Sequence, residues 1–257
     1  LSGRDLIAQA QSGTGKTGAF SISVIESIDE TDSSLQSIIL SPTRELTEQI
    51  YNVIKDIGKY TKISFALFLG GQSRQSQIAQ LNSGVQCVIG TPGRINDFIH
   101  EGYMNLSGVK CLVLDEADEL LSPAFVDQIR YVVEFLPQKS QICLYSATLS
   151  QSCVDVARKF LNNPKILEVR REQLTLEGIT QFYICCENDR IKYSAISDLY
   201  SSLVINQLMI YCNTKQRVMY LHDSLVKDGH TCSCIHSELN TRERLDVMNS
   251  FRRGESR

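Results

Sequence analysis

An apolar strand, a glycine-rich loop and a helix follow one another in "DLIAQAQSGTGKTGAF", residues 5–20. "DLIAQA" has the composition of a short buried strand, and the residues after the glycines have that of a helix. Between them lies "AQSGTGKT", Ala10–Thr17, which ends in a lysine and a threonine. A strand, a glycine loop and a helix in this order predict an α/β fold with a phosphate-binding loop at the end of the strand.

The residue types of the loop suit a nucleoside triphosphate. Gly13 and Gly15 allow the backbone to bend so that successive N–H groups face a phosphate, and the helix N-terminus adds partial positive charge. Lys16 is expected to reach the terminal phosphates, and the Thr17 hydroxyl a magnesium ion. The strict motif has glycine where this chain has Ala10, so a glycine-rich turn without a ligand is the alternative interpretation.

A second stretch, "KCLVLDEADELL" at residues 110–121, begins as a buried strand and turns acidic at Asp115 and Glu116. The carboxyl ends of parallel strands meet at one edge of a sheet, so Asp115 is expected near Thr17 and the loop. We predict that Thr17 and Asp115 share the magnesium ion of ATP, while Glu116 orients or deprotonates the attacking water. Alternatively, the acidic residues only favour the start of a helix, which we accept for Glu119.

Short apolar segments alternate with helical patterns along the whole chain, which predicts parallel sheets covered by helices on both faces. A polar stretch, 168–178, separates two such series. It predicts a linker between two α/β domains, 1–167 and 179–257. The second domain has only three predicted strands, so we expect it to be truncated and the sequence to be a fragment. The predicted strands are "DLIAQA", "SIILS", "SFALFL", "QCVIG", "CLVLD" and "QICLYS", then "ITQFYIC", "LMIYCN" and "TCSCIH".

Composition narrows the class of protein. The 257 residues are 42% hydrophobic and 21% charged, and no apolar run is long enough to span a membrane. A net charge of −3 provides no global attraction for nucleic acid, so any such binding must be local. The nine cysteines and the absence of a signal-peptide pattern at the first residues predict reduced thiols in a cytoplasmic or nuclear protein. The ligand-like "HTCSCIH" is better explained as a strand than as a zinc site.

Other polar clusters also follow predicted strands: "SPTRELT", the Gly70–Gly71 pair, "TPGR" and "SAT". Each alone indicates only a turn. Together they bring small hydroxyls, free backbone amides, Arg44 and Arg94 to one rim of the sheet. Such a rim suits a sugar–phosphate backbone bound without sequence preference.

The ordered motifs "AQSGTGKT", "PTRELT", "GG", "TPGR", "DEAD" and "SAT" resemble the DEAD-box ATP-dependent RNA helicases of superfamily two. The resemblance covers the whole chain. Within the family, "QLTLEGITQFY" and "LMIYCNTKQRV" are most similar to the translation initiation factor branch and its exon-junction paralogue.

The resemblance implies an RNA-stimulated ATPase with two RecA-like domains, ATP and Mg²⁺ as cofactors, and single-stranded or short-duplex RNA as partner. It further implies a monomer without membrane association, and protein activators of the initiation-scaffold or exon-junction type. Ser146 and Thr148 would couple the nucleotide state to RNA separation. The implied ATP-binding residues are Ala10, Gln11, Ser12, Gly13, Thr14, Gly15, Lys16 and Thr17. The implied RNA-binding residues are Pro42, Thr43, Arg44, Gly71, Thr91, Gly93, Arg94, Asn213 and Thr214.

Several features depart from the family pattern. "HSEL", residues 236–239, replaces a His-Gly-Asp motif, Thr47 replaces alanine, and Thr241 replaces glutamine. The adenine-recognition motif and the arginine finger would lie outside the 257 residues, so we expect this stretch alone to bind nucleotide weakly and hydrolyse it poorly. Two other hypotheses remain: an ATP-gated RNA clamp with little turnover, and a generic P-loop ATPase acting on DNA or protein.

Overall fold

The computed structural model describes residues 3–11, 13–168, 179–203 and 205–256. The chain divides into two compact units, Leu1–Ile179 and Thr180–Arg257. Except for Glu168, the predicted linker at 168–178 lies outside the described residues, as does Ser12 of the glycine-rich loop.

The first unit contains one sheet in which all paired strands are parallel, which confirms the predicted α/β class. Its strands are β1 (Leu6–Gln9), β2 (Ser37–Leu40), β3 (Phe65–Phe68), β4 (Cys87–Gly90), β5 (Cys111–Asp115), β6 (Gln141–Ser146) and β7 (Lys165–Leu167). The spatial order is β3-β4-β2-β5-β6-β1-β7. All six strands predicted for this unit are confirmed, and β7 is an addition.

Strand β7 was not predicted because it is short and not an apolar run: Leu167 remains 49% exposed. It forms at the sheet edge, where the Lys165 amide donates a 2.8 Å hydrogen bond to the carbonyl of Asp5. Backbone pairing with β1 therefore specifies this strand, since the side chains contribute little burial.

Helices cover both faces of the sheet and bury alternate residues of each strand. Ile38 and Leu40 belong to one apolar cluster, whereas Ile39 belongs to the cluster on the opposite face, and all three are fully buried. This alternation explains why the central strands are apolar throughout. The helices are α1 (Lys16–Ser27), α2 (Arg44–Ile57), α3 (Arg74–Asn82), α4 (Pro92–His100), α5 (Ala117–Leu120), α6 (Val126–Glu134) and α7 (Gln151–Ala157).

Strand register aligns the end of β1, which precedes the glycine-rich loop, with the acidic end of β5. Ala8 is level with Tyr145 on the neighbouring strand, and Tyr145 is level with Asp115 on the next. Neighbouring strands lie about 4.8 Å apart, so Asp115 and the end of β1 are separated by two spacings, or about 10 Å. The glycine-rich loop and the acidic stretch, a hundred residues apart in sequence, thus leave the same sheet edge.

The second unit contains α8 (Asp189–Ser202), α9 (Lys215–Lys227) and α10 (Thr241–Arg252). The three strands predicted here are not formed: within 179–203 and 205–256, no segment is assigned to a strand. Exposure still alternates residue by residue along 231–236, as in a half-buried strand. The physical reason is that strands require paired backbone groups, and no hydrophobic side chain among the described residues of this unit is fully buried to hold such segments together.

The structure also bears on two possibilities considered from the sequence, a zinc site and a membrane-spanning segment. Among the described residues, no group of three or more histidine, cysteine or acidic side chains could hold a metal ion. Within the same part of the chain, every helix is too short or too polar to cross a bilayer.

Candidate nucleotide site and RNA surface

The glycine-rich loop is open and shaped by its glycines. Gly13 and Gly15 have φ angles of 78° and 94°, a region that other residues rarely adopt, and nothing lies within 4 Å of a Cβ built on either. The loop therefore needs glycine for its backbone conformation, and there is open space beside both glycines. The Thr14 hydroxyl donates a 2.7 Å hydrogen bond to the carbonyl of Gln11 and closes the turn.

Lys16 and Thr17 form the first turn of α1, directly after the loop. The Lys16 ammonium folds back and donates a 3.0 Å hydrogen bond to the carbonyl of Ala10. A phosphate oxygen could replace that carbonyl without moving the helix, because the ammonium already lies across the loop. Thr17 is half-buried beside it.

Asp115, the last residue of β5, is a buried carboxylate that lacks full compensation. It is 6% exposed, and its Oδ1 has no hydrogen-bond partner among the described residues. Burial raises its pKa to about 6, the charge of Glu116 adds to this rise, and the positive charge of Lys16 opposes it. Lys16 is thus close enough to act on Asp115 electrostatically. An unpaired, buried carboxylate oxygen is the type of ligand that magnesium prefers.

Glu116 has an unusual backbone conformation, with φ 51° and ψ 53°. The left-handed region is uncommon for residues other than glycine, and such strain concentrates at functional sites. This conformation ends β5 and begins α5 within one residue, which leaves the Glu116 side chain half-exposed at the sheet edge. The sequence could not reveal this turn, since neither glycine nor asparagine marks it.

A hydrogen-bonded series connects the loop to the acidic stretch through the end of β6. The Ala10 amide donates to the carbonyl of Ser146 at 3.0 Å, and the Ser146 hydroxyl donates to the carbonyl of Thr148 at 2.7 Å. The Thr148 hydroxyl then donates to Oδ2 of Asp118. Sequence reasoning left Asp118 out of the site. Its position three residues after Asp115, at the start of a helix, was the available signal.

Five of the predicted RNA-binding residues line one cavity of about 590 Å³ on the first unit. The cavity lies where α2, α3 and α4 begin. Three arginines and one acidic side chain face it, which gives it an excess of positive charge. The lining residues are Pro42, Arg44, Gly70, Arg74, Thr91, Pro92, Gly93, Arg94, Asp97, Phe125 and Gln128.

The loop after β3 holds two of these arginines in place. A Cβ added to Gly71 would approach the Arg44 guanidinium to 3.1 Å, and the φ of Gly71 is 81°, so glycine allows both the turn and the contact. Nη2 of Arg94 donates a 3.3 Å hydrogen bond to the carbonyl of Gln72. Both guanidinium groups therefore lie beside one short loop.

Thr43 and Thr91 occupy equivalent positions, each as the N-cap of the helix that carries an arginine. The Thr43 hydroxyl accepts a hydrogen bond from the Leu46 amide at 3.3 Å, whereas the Thr91 side chain makes no such cap bond. In the second unit, Thr214 caps α9 by accepting from the Arg217 amide at 3.3 Å, and its neighbour Asn213 is exposed.

The family model of the DEAD/DEAH box helicases matches residues 1–156, and that of the helicase conserved C-terminal domain matches residues 191–257. The chain belongs to the DEAD/DEAH box helicase family. The first match contains the glycine-rich loop, the acidic stretch and the whole cavity, so the DEAD/DEAH box signature and the candidate site coincide.

Individual DEAD/DEAH box relatives agree with this assignment. An ATP-dependent RNA helicase eIF4A of Scheffersomyces stipitis is 46% identical over 99% of this chain, and the match spans 64% of the relative. Saccharomyces cerevisiae Dbp5 bound to RNA and ADP BeF3 is similar in structure, with a TM-score of 0.89 and 36% identity over 98% of this chain and 64% of Dbp5. A Dbp5 variant bound to a variant of Gle1 and IP6 has a TM-score of 0.76 at 36% identity, over 98% of this chain and 63% of that one. The chain therefore spans somewhat less than two thirds of the length of the relatives it matches.

Proposed function

We propose that the protein is an ATP-dependent RNA helicase in which RNA stimulates ATP hydrolysis, and that this hydrolysis drives local unwinding or clamping of RNA. The observation that carries the proposal is Asp115, a buried carboxylate with an unpaired oxygen that interacts electrostatically with Lys16. Two opposite charges on separate loops of one sheet edge are the arrangement that a metal-bound triphosphate requires.

The nucleotide would occupy the glycine-rich loop. Its phosphates would accept hydrogen bonds from the backbone amides of Gly13–Thr17 and from Lys16 in place of the Ala10 carbonyl. Magnesium would be held by the Thr17 hydroxyl and Asp115, largely through water, and would neutralise charge on the phosphates. Glu116 would orient the attacking water and accept its proton.

Nucleotide binding should depend on pH because Asp115 must be ionised to bind magnesium. Its pKa of about 6 in the free protein means that binding releases a proton below that pH. We expect the affinity for magnesium-ADP to be constant above pH 7 and to fall by up to about tenfold per unit below pH 6. Fluorescence titration with a labelled ADP checks this, and ADP without magnesium serves as the control. An equally steep fall without magnesium would remove Asp115 as the cause.

RNA would bind across the arginine-lined cavity, with further contacts from Asn213 and Thr214 of the second unit. Arg44, Arg94 and the helix N-termini at Thr43 and Thr91 offer donors to phosphate oxygens, so the contact would not depend on base sequence. The small hydroxyl and amide groups of the rim suit ribose 2′-hydroxyls, which distinguish RNA from DNA.

We further propose that residues 1–167 and 179–257 act as two domains joined by residues 168–178. The separation into compact units close to Ile179 supports this division. The series Ala10–Ser146–Thr148–Asp118 would couple the nucleotide loop to RNA release, since a shift at either end must rearrange its hydrogen bonds. The protein would act as a monomer with protein activators, in translation initiation or mRNA processing, and in the cytoplasm or nucleus.

The decisive experiment measures the ATPase rate with and without single-stranded RNA, for the 257-residue chain and for a version extended at both ends to the length of its relatives. We expect RNA to raise the rate of the extended version strongly and that of the short chain weakly. DNA of the same sequence should have little effect. Lys16→Ala provides the background rate, because it removes the cation that faces the phosphates.

Three outcomes separate the hypotheses. Equal stimulation by RNA and DNA would contradict the proposal in favour of a generic ATPase. A stable RNA complex with a non-hydrolysable ATP analogue and negligible turnover would favour the RNA clamp. If the protein shows no ATPase activity above the Lys16→Ala background and forms no RNA complex, both the helicase hypothesis and the RNA-clamp hypothesis are wrong.

A further inference from the structure

A cluster at the wall of the arginine-lined cavity has no stated role in the proposed mechanism, although one member, Arg74, lines the cavity. It consists of Arg74, Glu101, Phe98 and Tyr103, and sequence reasoning assigned none of these residues to a site. Arg74 is the first residue of α3, and Glu101 is the C-cap of α4. The two form an ion pair that joins the beginning of one helix to the end of the other.

Aromatic rings hold the Arg74 guanidinium in a defined orientation. Its central carbon lies 5.6 Å from the ring centroid of Phe98 and 5.9 Å from that of Tyr103. Phe98 is fully buried and packs against Phe68 at the end of β3, so the ring is a rigid support. Arg74 lies in the cavity wall, and a guanidinium that is ion-paired and lies over a fixed ring has little freedom to move towards a ligand in the middle of the cavity.

The same ring supports a second arginine. The central guanidinium carbon of Arg94 lies 5.7 Å from the Phe98 centroid, and Arg94 also donates to the carbonyl of Gln72. Gln72 belongs to the loop Gly70–Ser73, which ends at Arg74. Arg74 therefore fixes the far end of the loop whose carbonyl orients Arg94.

The near end of this loop is fixed independently. The buried Gln77 side chain donates to the carbonyl of Leu69 at 3.4 Å and to Oε1 of Gln72 at 3.0 Å. Gly71, between the two anchors, lies against the Arg44 guanidinium. Loss of the Arg74 anchor would loosen Ser73 and the backbone of Gln72, whose carbonyl faces Arg94, while Gln77 still holds the Leu69 carbonyl and the Gln72 side chain.

We propose that Arg74 is a positioning residue for RNA binding: its ion pair with Glu101 and its stacking on Phe98 hold the Gly70–Ser73 loop so that Arg94 faces the RNA phosphates. This inference rests on the proposed RNA-binding function and adds to it. Arg74 acts through Arg94 and does not contact RNA.

The test combines RNA affinity with a readout that needs no RNA. Binding of fluorescein-labelled single-stranded RNA is measured by anisotropy, in the presence of a non-hydrolysable ATP analogue, for wild type, Arg74→Ala, Arg94→Ala and the double variant. We expect Arg74→Ala to weaken binding about fivefold, the effect of losing a well-oriented hydrogen bond. In the Arg94→Ala background the same change should have almost no effect, because its target is already absent.

Two further variants sharpen the test. Arg130→Ala removes an arginine of similar exposure that is ion-paired to Asp127 and does not line the cavity, so it should leave affinity unchanged. Glu101→Ala removes a negative charge yet should weaken RNA binding, because it frees Arg74 from its anchor. Tighter binding by Glu101→Ala would indicate that Arg74 contacts RNA directly and would overturn the proposal.

Hydrogen exchange tests the anchoring without RNA. Arg74→Ala should accelerate exchange of the amides at residues 70–74 and leave those of α1 unchanged. Unchanged exchange at residues 70–74 would refute the positioning role. So would equal losses of RNA affinity in Arg74→Ala and Arg94→Ala that add up in the double variant. If the wild type binds no RNA but Arg74→Ala still accelerates exchange at residues 70–74, the proposed function is wrong, whereas the anchoring role of Arg74 is supported.

Discussion

Glu116→Gln is expected to lower the RNA-stimulated rate of ATP hydrolysis by about 10²–10⁴-fold, the usual contribution of a general base. Glutamine preserves the size of the side chain and the left-handed backbone at this position, but it cannot accept a proton from water. Nucleotide affinity should change little, since Asp115 and Lys16 remain. Multiple-turnover ATPase and nucleotide titration on the same preparation separate the two quantities.

The matched control is Glu119→Gln. Glu119 is exposed on α5, the short helix whose N-cap is Glu116, so the variant makes an identical chemical change three residues away from Glu116. Its hydrolysis rate should stay close to that of the wild type. If Glu116→Gln turned over ATP at the wild-type rate, Glu116 would have no part in the proton transfer.

Asp115→Asn is expected to abolish magnesium-dependent hydrolysis and, at the same time, to stabilise the protein. Burial raises the pKa of Asp115 from 3.8 to about 6, so at pH 7 the ionised carboxylate destabilises the folded state by about 3 kcal/mol. Asparagine removes the charge but still buries an amide, so we expect a gain of about 1–3 kcal/mol in the free energy of unfolding. Urea unfolding at pH 7 measures it.

The sign of the pH dependence provides an internal check. The folded state holds the Asp115 proton more tightly than the unfolded state, so the destabilising contribution of Asp115 shrinks as pH falls from about 6 towards 3.8. The advantage of the asparagine variant should therefore be full at pH 7 and shrink towards pH 4. Asp127→Asn, which removes an exposed carboxylate, should change stability by less than about 1 kcal/mol. An advantage independent of pH would show that charge burial is not its source.

The proposed magnesium-binding role would explain the presence of such an unfavourable group. A carboxylate with one unpaired oxygen is a better magnesium ligand than one whose oxygens are both satisfied by hydrogen bonds. Proteins commonly lose stability at sites arranged for activity. Added magnesium-nucleotide should thus stabilise the wild type more than the asparagine variant.

Sequence reasoning worked best where local pattern and burial coincide. The six strands of the first unit were predictable because each is a short apolar run, and α2 because Ile50 and Ile54 repeat at helical spacing and are buried.

The same reasoning failed where pairing between distant segments determines structure. Strand β7 has no apolar pattern and exists because the free edge of β1 offers backbone partners. The segments predicted as strands in the second unit have the right composition but no paired neighbours in the described residues. The residue types of a segment indicate whether its side chains favour burial in a sheet. Whether the segment forms a strand depends on whether another strand lies beside it.

For this protein, the sequence alone was sufficient to predict the strand, the glycine-rich loop and the helix around Gly13–Thr17, and the acidic end of β5. It was also sufficient to indicate the family. Each of these is a local property of a few adjacent residues. Three-dimensional packing was needed to raise the pKa of Asp115. It was also needed to bring Thr148 to Asp118 and to place Arg74 against Glu101 and Phe98. These depend on desolvation and on contacts between residues far apart in the chain, and energies of that kind arise only when the sheet has brought the segments together.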